Sequence, residues 1–172
     1  MRELAPFSLD DLATAPFHWE RSAVIRATPE AVFDELGDPS LWFPLMHRSV
    51  WKTGATSGVG AIREVELRVF GRFRELFLAW DPPGRDGHAR IAFVMTAVDS
   101  PLADRMAEEL MIAPHADGVV FTYGVYIDPS KVGKVLLPGM RLVLRSLFAG
   151  GVRGLTKRTA WSADRVRATH GA

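Results

Sequence analysis

The chain has 172 residues, of which 48% are hydrophobic and 24% charged, and its formal net charge is +1. These values are typical of one globular domain with a substantial core, and they exclude a general electrostatic attraction to nucleic acid or to a membrane. Because cysteine is absent, disulfides, thiolate metal sites and a cysteine nucleophile are excluded as well.

Residues 1–17 are interpreted as an N-terminal surface arm. Their sequence is acidic and has no secretory signal pattern, so we expect a cytoplasmic protein without a membrane-spanning segment. Within the arm, Ser8 and Asp11 can cap one short helical turn, which Pro16 would end.

The first regular elements are a strand and two short helices. Residues 18–27 alternate between apolar and polar, which predicts the first strand. Thr28 as N-cap and Pro29 at the first helical position predict a helix over 29–36, closed by Gly37. Residues 38–46 restart a second, very short helix.

Six further strands are separated by turn signals. They are predicted over residues 48–53, 60–69, 72–80, 88–96, 105–113 and 118–127. Short turns between consecutive strands indicate an antiparallel sheet. The element order therefore predicts an α+β fold with a seven-stranded antiparallel sheet, two short helices after the first strand and a long helix at the end.

The long helix is predicted from residue 129 to residue 161. Its apolar residues recur at helical spacing but drift by about 40° per four residues, too far for one straight face. We therefore expect a break at Pro138-Gly139, with the main helix over residues 138–160. Residues 18–161 form the predicted single domain, and residues 162–172 a C-terminal tail.

Several strings in this order resemble the SRPBCC superfamily, also called START-like or helix-grip proteins, in its polyketide cyclase/dehydrase and lipid transport branch. The strings are IRATPEAVF from Ile25, Gly58-Val59-Gly60, the segment from Glu75 to Arg85 with WDPPGR, and Asp117-Gly118 before the last strand. The resemblance covers residues 19–161. The family often has Thr-Trp-Thr in the last strand, where this chain has Thr122-Tyr123-Gly124.

The resemblance implies a helix-grip fold, in which a curved sheet wraps around the C-terminal helix and encloses a hydrophobic cavity. It also implies a small hydrophobic ligand, such as a lipid or a polyketide. Ordinary core packing explains each inward aromatic or methionine singly, but under this architecture some of them line the cavity. The candidate ligand-binding residues are Trp42, Phe43, Met46, Trp51, Phe77, Phe93, Met95, Phe121, Tyr123, Met140, Leu144 and Phe148.

Three polar residues share strand faces with core residues. Glu75 has the parity of Phe73 and Phe77, so its carboxyl is expected inside, where it could act as acid or base. Arg63 could pair with a carboxylate, and Tyr123 could donate to a ligand carbonyl. The alternative is structural: Arg63 and Glu75 form an ion pair, and Tyr123 is a satisfied core hydroxyl.

The histidines His18, His47, His88, His115 and His170 have no metal-binding spacing, and we expect no metal site and no cofactor. Glu108 and Glu109 on a predicted strand, together with the nearly neutral net charge, argue for a mainly solvating role of the basic residues on the last helix. The basic residues of the last helix are interpreted mainly as a solvated surface, with transient contact to anionic lipid as an alternative. The glycines Gly150, Gly151 and Gly154 indicate a close approach of this helix to the sheet, or backbone that lines a pocket.

Three functions stay open at this point. The first is a carrier or sensor that binds a small hydrophobic molecule. The second is an aromatase/cyclase or dehydratase that uses Glu75, Arg63 or Tyr123 for proton transfer. The third is an interaction module whose interior is filled by its own side chains. A monomer and a homodimer are both compatible with the sequence.

Overall fold

The computed structural model describes residues 1–54 and 56–170. The strands are β1 (Arg2–Glu3), β2 (Phe17–Ile25), β3 (Met46–Trp51), β4 (Ile62–Leu67), β5 (Gly71–Asp81), β6 (Ala89–Val98), β7 (Ala103–His115) and β8 (Gly118–Pro129). The helices are α1 (Pro29–Leu36) and α2 (Lys131–His170), with 3₁₀ helices at Leu9–Thr14 and Pro39–Leu41.

The main sheet has the order β2-β8-β7-β6-β5-β4-β3, and all of its neighbouring strands are antiparallel. All seven predicted strands are present, and the short β1 pairs with the end of β6 as an eighth. The curved sheet and the long C-terminal helix make a helix-grip fold, so the predicted fold class is confirmed.

Helix α1 begins as its sequence predicts. Its N-cap is Thr28, whose Oγ1 accepts a hydrogen bond from the backbone N–H of Ala31 at 3.3 Å, and Pro29 occupies the first position. Glu35 of α1 accepts a hydrogen bond from Nε of Arg158 on α2 at 2.9 Å. This pair joins the two helices on the same side of the sheet.

The N-terminal arm has a larger role than its sequence indicated. Ser8 and Asp11 form the expected capping box of the 3₁₀ helix Leu9–Thr14. However, Phe7 and Leu12 are buried in a second apolar cluster with Val94, Ala107 and Tyr126. The interpretation of these residues as a surface arm without core contacts is therefore wrong, because two apolar side chains cover one face of the sheet.

The predicted break in the last helix is also wrong. Helix α2 runs without interruption from Lys131 to His170, with Pro138 inside it, and so continues past residue 160. The drift of apolar residues has another cause, since they belong to two different faces. Leu137 is 3% exposed and faces the core, whereas Val135 and Leu142 are 77% and 75% exposed.

The three glycines of α2 do mark a close approach, but to a different element. A Cβ atom on Gly154 would overlap the backbone carbonyl of Trp42, and one on Gly151 would lie 3.2 Å from the Trp42 ring. One on Gly150 would lie 2.9 Å from Pro44. The glycines therefore bring α2 against the segment after the second 3₁₀ helix rather than against the sheet.

Candidate functional site

A cavity of about 120 Å³ lies between the concave face of the sheet and α2. Most of its wall is apolar, which is the usual composition of pockets for small organic molecules. The side chains that line it are Leu36, Pro39, Trp42, Phe43, Met46, Arg63, Val65, Leu67, Phe70, Phe73, Glu75, Phe93, Met95, Val98, Ser100, Leu102, Ala103, Met106, Glu108, Leu110, Tyr123, Val125, Ile127, Leu137, Met140, Leu144 and Leu147.

Eight of the twelve predicted ligand-binding residues lie on this wall. They are Trp42, Phe43, Met46, Phe93, Met95, Tyr123, Met140 and Leu144. The three polar candidates Arg63, Glu75 and Tyr123 lie there too. Strand parity and helical spacing therefore located much of the wall, and the role of each residue in binding stays a prediction.

The other four aromatic candidates are packed elsewhere. Trp51 and Phe77 lie against the guanidinium of Arg63, whose Cζ is 5.2 Å and 4.9 Å from their ring centroids. Phe121 and Phe148 stack on each other with centroids 6.2 Å apart and an interplanar angle of 7°. Sequence parity cannot separate such core positions from the cavity wall, because both lie on the same face of the sheet.

Arg63 and Glu75 form a buried ion pair on the cavity side of the sheet. The two residues are directly opposite each other on β4 and β5, and Arg63 Nε donates to Glu75 Oε2 at 2.6 Å. Arg63 also donates to the backbone carbonyl of Gly37, at the end of α1, at 3.1 Å. The structural interpretation of this pair is therefore the one that the contacts favour.

The environment of Glu75 has two opposing effects on the pKa of its carboxyl. Burial raises the pKa of its carboxyl, while the charge of Arg63 and the hydrogen bond from it lower the pKa. Burial is the larger effect, so the pKa of Glu75 lies above its ordinary value.

A second polar pair, Glu108 and Tyr123, comes from β7 and β8. Glu108 faces Val125 in the strand register, which places Tyr123 on the diagonal, and the Tyr123 hydroxyl donates to Glu108 Oε2 at 2.7 Å. The pKa of Glu108 is raised to about 8, chiefly by burial and in smaller part by the nearby Glu75, against the opposing effects of Tyr123 and Arg63. At neutral pH the Glu108 carboxyl is therefore largely protonated, and the pKa of Tyr123 is raised for the same reason, burial first.

Glu108 is the residue that the sequence analysis missed. Glu109, its neighbour, lies on the opposite face of β7, where it accepts hydrogen bonds from Arg90 and from Tyr126. Two adjacent glutamates are typical of a strand that is exposed to solvent. However, one face of β7 borders the cavity, and the N-terminal arm covers the other face. Both glutamates therefore lie on covered faces of β7, and neither was among the candidate site residues predicted from the sequence.

One buried donor near the cavity is unpartnered. Trp42 is 9% exposed, and among the described residues its indole Nε1 is the buried side-chain nitrogen or oxygen without a hydrogen-bond partner. A buried unsatisfied N–H costs free energy unless a ligand or water accepts from it.

The described residues contain no group of three or more His, Asp or Glu side chains placed to hold a metal ion. The cavity has two carboxyl groups, and one of them is paired with Arg63. This set of donors also differs from that of a usual metal site.

The model of the family "Polyketide cyclase / dehydrase and lipid transport" matches residues 16–160 of this chain. The chain belongs to this family. An uncharacterized protein of Mycobacterium tuberculosis is 26% identical over 113 residues, which are 64% of this chain and 65% of that relative. The chain thus spans about two thirds of the length of the curated relatives that it matches.

Solved structures agree with the fold of this polyketide cyclase/dehydrase family member. The di-domain ARO/CYC StfQ from the steffimycin biosynthetic pathway has a TM-score of 0.68 at 12% identity, and the match covers 90% of this chain and 54% of StfQ. A START superfamily protein from Mycobacterium smegmatis has a TM-score of 0.65 at 11% identity, covering 84% of this chain and 97% of that protein. At such low identity these likenesses show the fold alone.

Proposed function

We propose that the protein binds a small, largely hydrophobic molecule, as a carrier or a sensor, in the cavity between the sheet and α2. The observation that carries the proposal is the cavity itself, with apolar walls and one available polar pair, Glu108 and Tyr123. A void of about 120 Å³ exceeds the room of a few waters at ~10–15 Å³ each. It therefore disfavours the alternative of a self-filled interior.

The size of the cavity limits the part of a ligand that fits inside. Its volume of about 120 Å³ is near that of an apolar cavity of ~150 Å³ that holds benzene. The ligand would thus place one ring or a short branched group in the interior.

The polar pair favours an uncharged oxygen on the ligand. A protonated Glu108 uses one carboxyl oxygen to accept from Tyr123 and can donate from the other to a carbonyl or hydroxyl oxygen. A carboxylate ligand would be disfavoured, because Arg63 is already paired with Glu75. Cyclic ketones and phenols therefore fit better than fatty acids.

Ligand extraction and thermal shifts test this function. The purified protein is extracted with organic solvent for mass spectrometry, and its melting temperature is measured with cyclic ketones, phenols and matched hydrocarbons. We expect a co-purifying apolar molecule, or a raised melting temperature with ketones or phenols that exceeds the shift with the hydrocarbons. An empty extract together with flat melting curves would contradict the proposal.

The second candidate function is a dehydratase or cyclase, and Glu108 is the specific observation in its favour. A carboxyl with a pKa of about 8 can release or take up a proton near neutral pH, whereas Glu75 is held by Arg63. Glu108, hydrogen-bonded to Tyr123, would then be the acid–base group in place of Glu75. If the parent converts a compound that it binds, loss of this turnover in Glu108→Gln with unchanged binding of the compound would support a catalytic role of Glu108. Equal turnover in the parent and in Glu108→Gln would exclude Glu108 from the catalytic mechanism.

A further inference from the structure

The outward face of α2 carries a continuous set of exposed aliphatic side chains. They are Val132, Val135, Leu136, Leu142 and Val143, which are 47%, 77%, 52%, 75% and 39% exposed. A helix turns by about 100° per residue, so these five positions fall within an arc of about 120°. We call this set the outer face of α2; it points away from the side that carries Leu137, Met140 and Leu144 to the cavity.

Over residues 131–160, α2 carries charge of one sign only. Between Lys131 and Ala160 there are seven basic residues and no acidic one: Lys131, Lys134, Arg141, Arg145, Arg153, Lys157 and Arg158. The exposed Lys131, Lys134 and Arg145 lie at one edge of the outer face. This basic charge is local, because the whole chain carries a formal charge of only +1.

By length and composition, residues 131–160 could also cross a membrane, and only 11% of their most apolar stretch is buried. However, the inward side of the same helix is part of the domain core, where Leu137, Leu155 and Thr159 are buried. A helix that keeps one side on its own sheet can lie on a membrane without spanning it.

We propose that the outer face of α2 docks on the surface of an anionic lipid bilayer. The aliphatic side chains would enter the headgroup region, and the lysines and arginines beside them would contact lipid phosphates, as in interfacial amphipathic helices. A second copy of the chain is a poorer occupant, because two such faces would bring basic residues together without an acidic residue of the segment 131–160 to pair with them. This inference does not depend on the cavity ligand.

Vesicle co-sedimentation tests the docking surface. The full chain is mixed with vesicles of phosphatidylcholine alone and of phosphatidylcholine with phosphatidylglycerol, at low and high salt. We expect binding to the anionic vesicles that weakens as salt rises, and at least ~10-fold weaker binding by the double variant Val135→Asp/Leu142→Asp. Circular dichroism melting verifies that the variant is folded.

The matched control is Val59→Asp/Val69→Asp, which changes two valines that are 68% and 70% exposed outside α2. It should bind anionic vesicles as the parent does. Equal binding of the parent to neutral and anionic vesicles, or equal losses in both double variants, would overturn the proposal. The proposal would also be overturned if the parent protein bound no vesicles and formed a dimer that the double substitution Val135→Asp/Leu142→Asp dissociated. The outer face of α2 would then bind a second copy of the chain.

Discussion

Arg63 and Glu75 face each other on β4 and β5 inside the concave side of the sheet, with Nε 2.6 Å from Oε2 and side chains only 3% and 5% exposed. The next position on the same two strands carries Glu64 and Arg74, which are also paired but lie on the other face, 24% and 36% exposed. One strand pair thus holds a buried and an accessible ion pair at adjacent positions, and each serves as the control for the other.

We expect Arg63→Met to lower the free energy of unfolding by about 3–5 kcal/mol, because it leaves the Glu75 carboxyl buried without its partner. Arg74→Met should cost only about 0–1 kcal/mol, since water replaces the lost contacts of Glu64. Urea unfolding at neutral pH measures both. Similar losses in the two variants would contradict the assignment of Arg63 and Glu75 as the buried pair.

Glu108 predicts a pH dependence of stability. Its pKa is about 8 in the folded protein and near 4.5 when unfolded, so the folded state holds the extra proton between these values. The contribution of this proton to the free energy of unfolding is complete below about pH 4.5. It falls by at most about 1.4 kcal/mol per pH unit between pH 4.5 and pH 8, and it is absent above pH 8. The difference between the parent and Glu108→Gln in urea unfolding from pH 5 to pH 9 isolates this effect. A constant difference across the range would show that Glu108 titrates normally.

Filling the cavity from the helix should prevent ligand binding. Leu144 lies on the cavity wall, whereas Leu142 is on the outer face of the same helix and is 75% exposed. We expect Leu144→Trp to abolish the melting-temperature shift caused by any ligand that the parent binds, because the indole occupies the space. Leu142→Trp adds the same side chain outside and should leave that shift unchanged; loss of the shift in both would indicate that α2 itself, rather than the cavity, is the sensitive element.

Two glycines of α2 should respond in opposite ways to alanine. A Cβ on Gly154 would overlap the backbone of Trp42, whereas one on Gly139 meets nothing within 4 Å. We expect Gly154→Ala to destabilise the protein by about 1–3 kcal/mol, and Gly139→Ala to stabilise it by about 0.5–1 kcal/mol through higher helix propensity. Thermal unfolding compares the two, and a neutral Gly154→Ala would mean that α2 lies farther from Trp42.

The local elements could be predicted from the sequence because their signals are short-range. Thr28 and Pro29 begin α1 through contacts within one turn, and alternation along β8 places Phe121, Tyr123 and Val125 inside. Their order, joined to the resemblance of particular strings, was sufficient for the helix-grip fold. The same parity placed Glu75 and Arg63 on the inner face.

Tertiary structure alone decided which inner residues border empty space and what the polar ones contact. Glu108 shares the cavity face of β7 with Met106 and Leu110, and it meets Tyr123 through a strand register that local pattern does not encode. The drift of apolar residues along α2 requires no break in the helix, because these residues serve two surfaces, the cavity wall and the outer face. A one-dimensional pattern counts apolar residues but cannot tell which neighbour, if any, covers each of them.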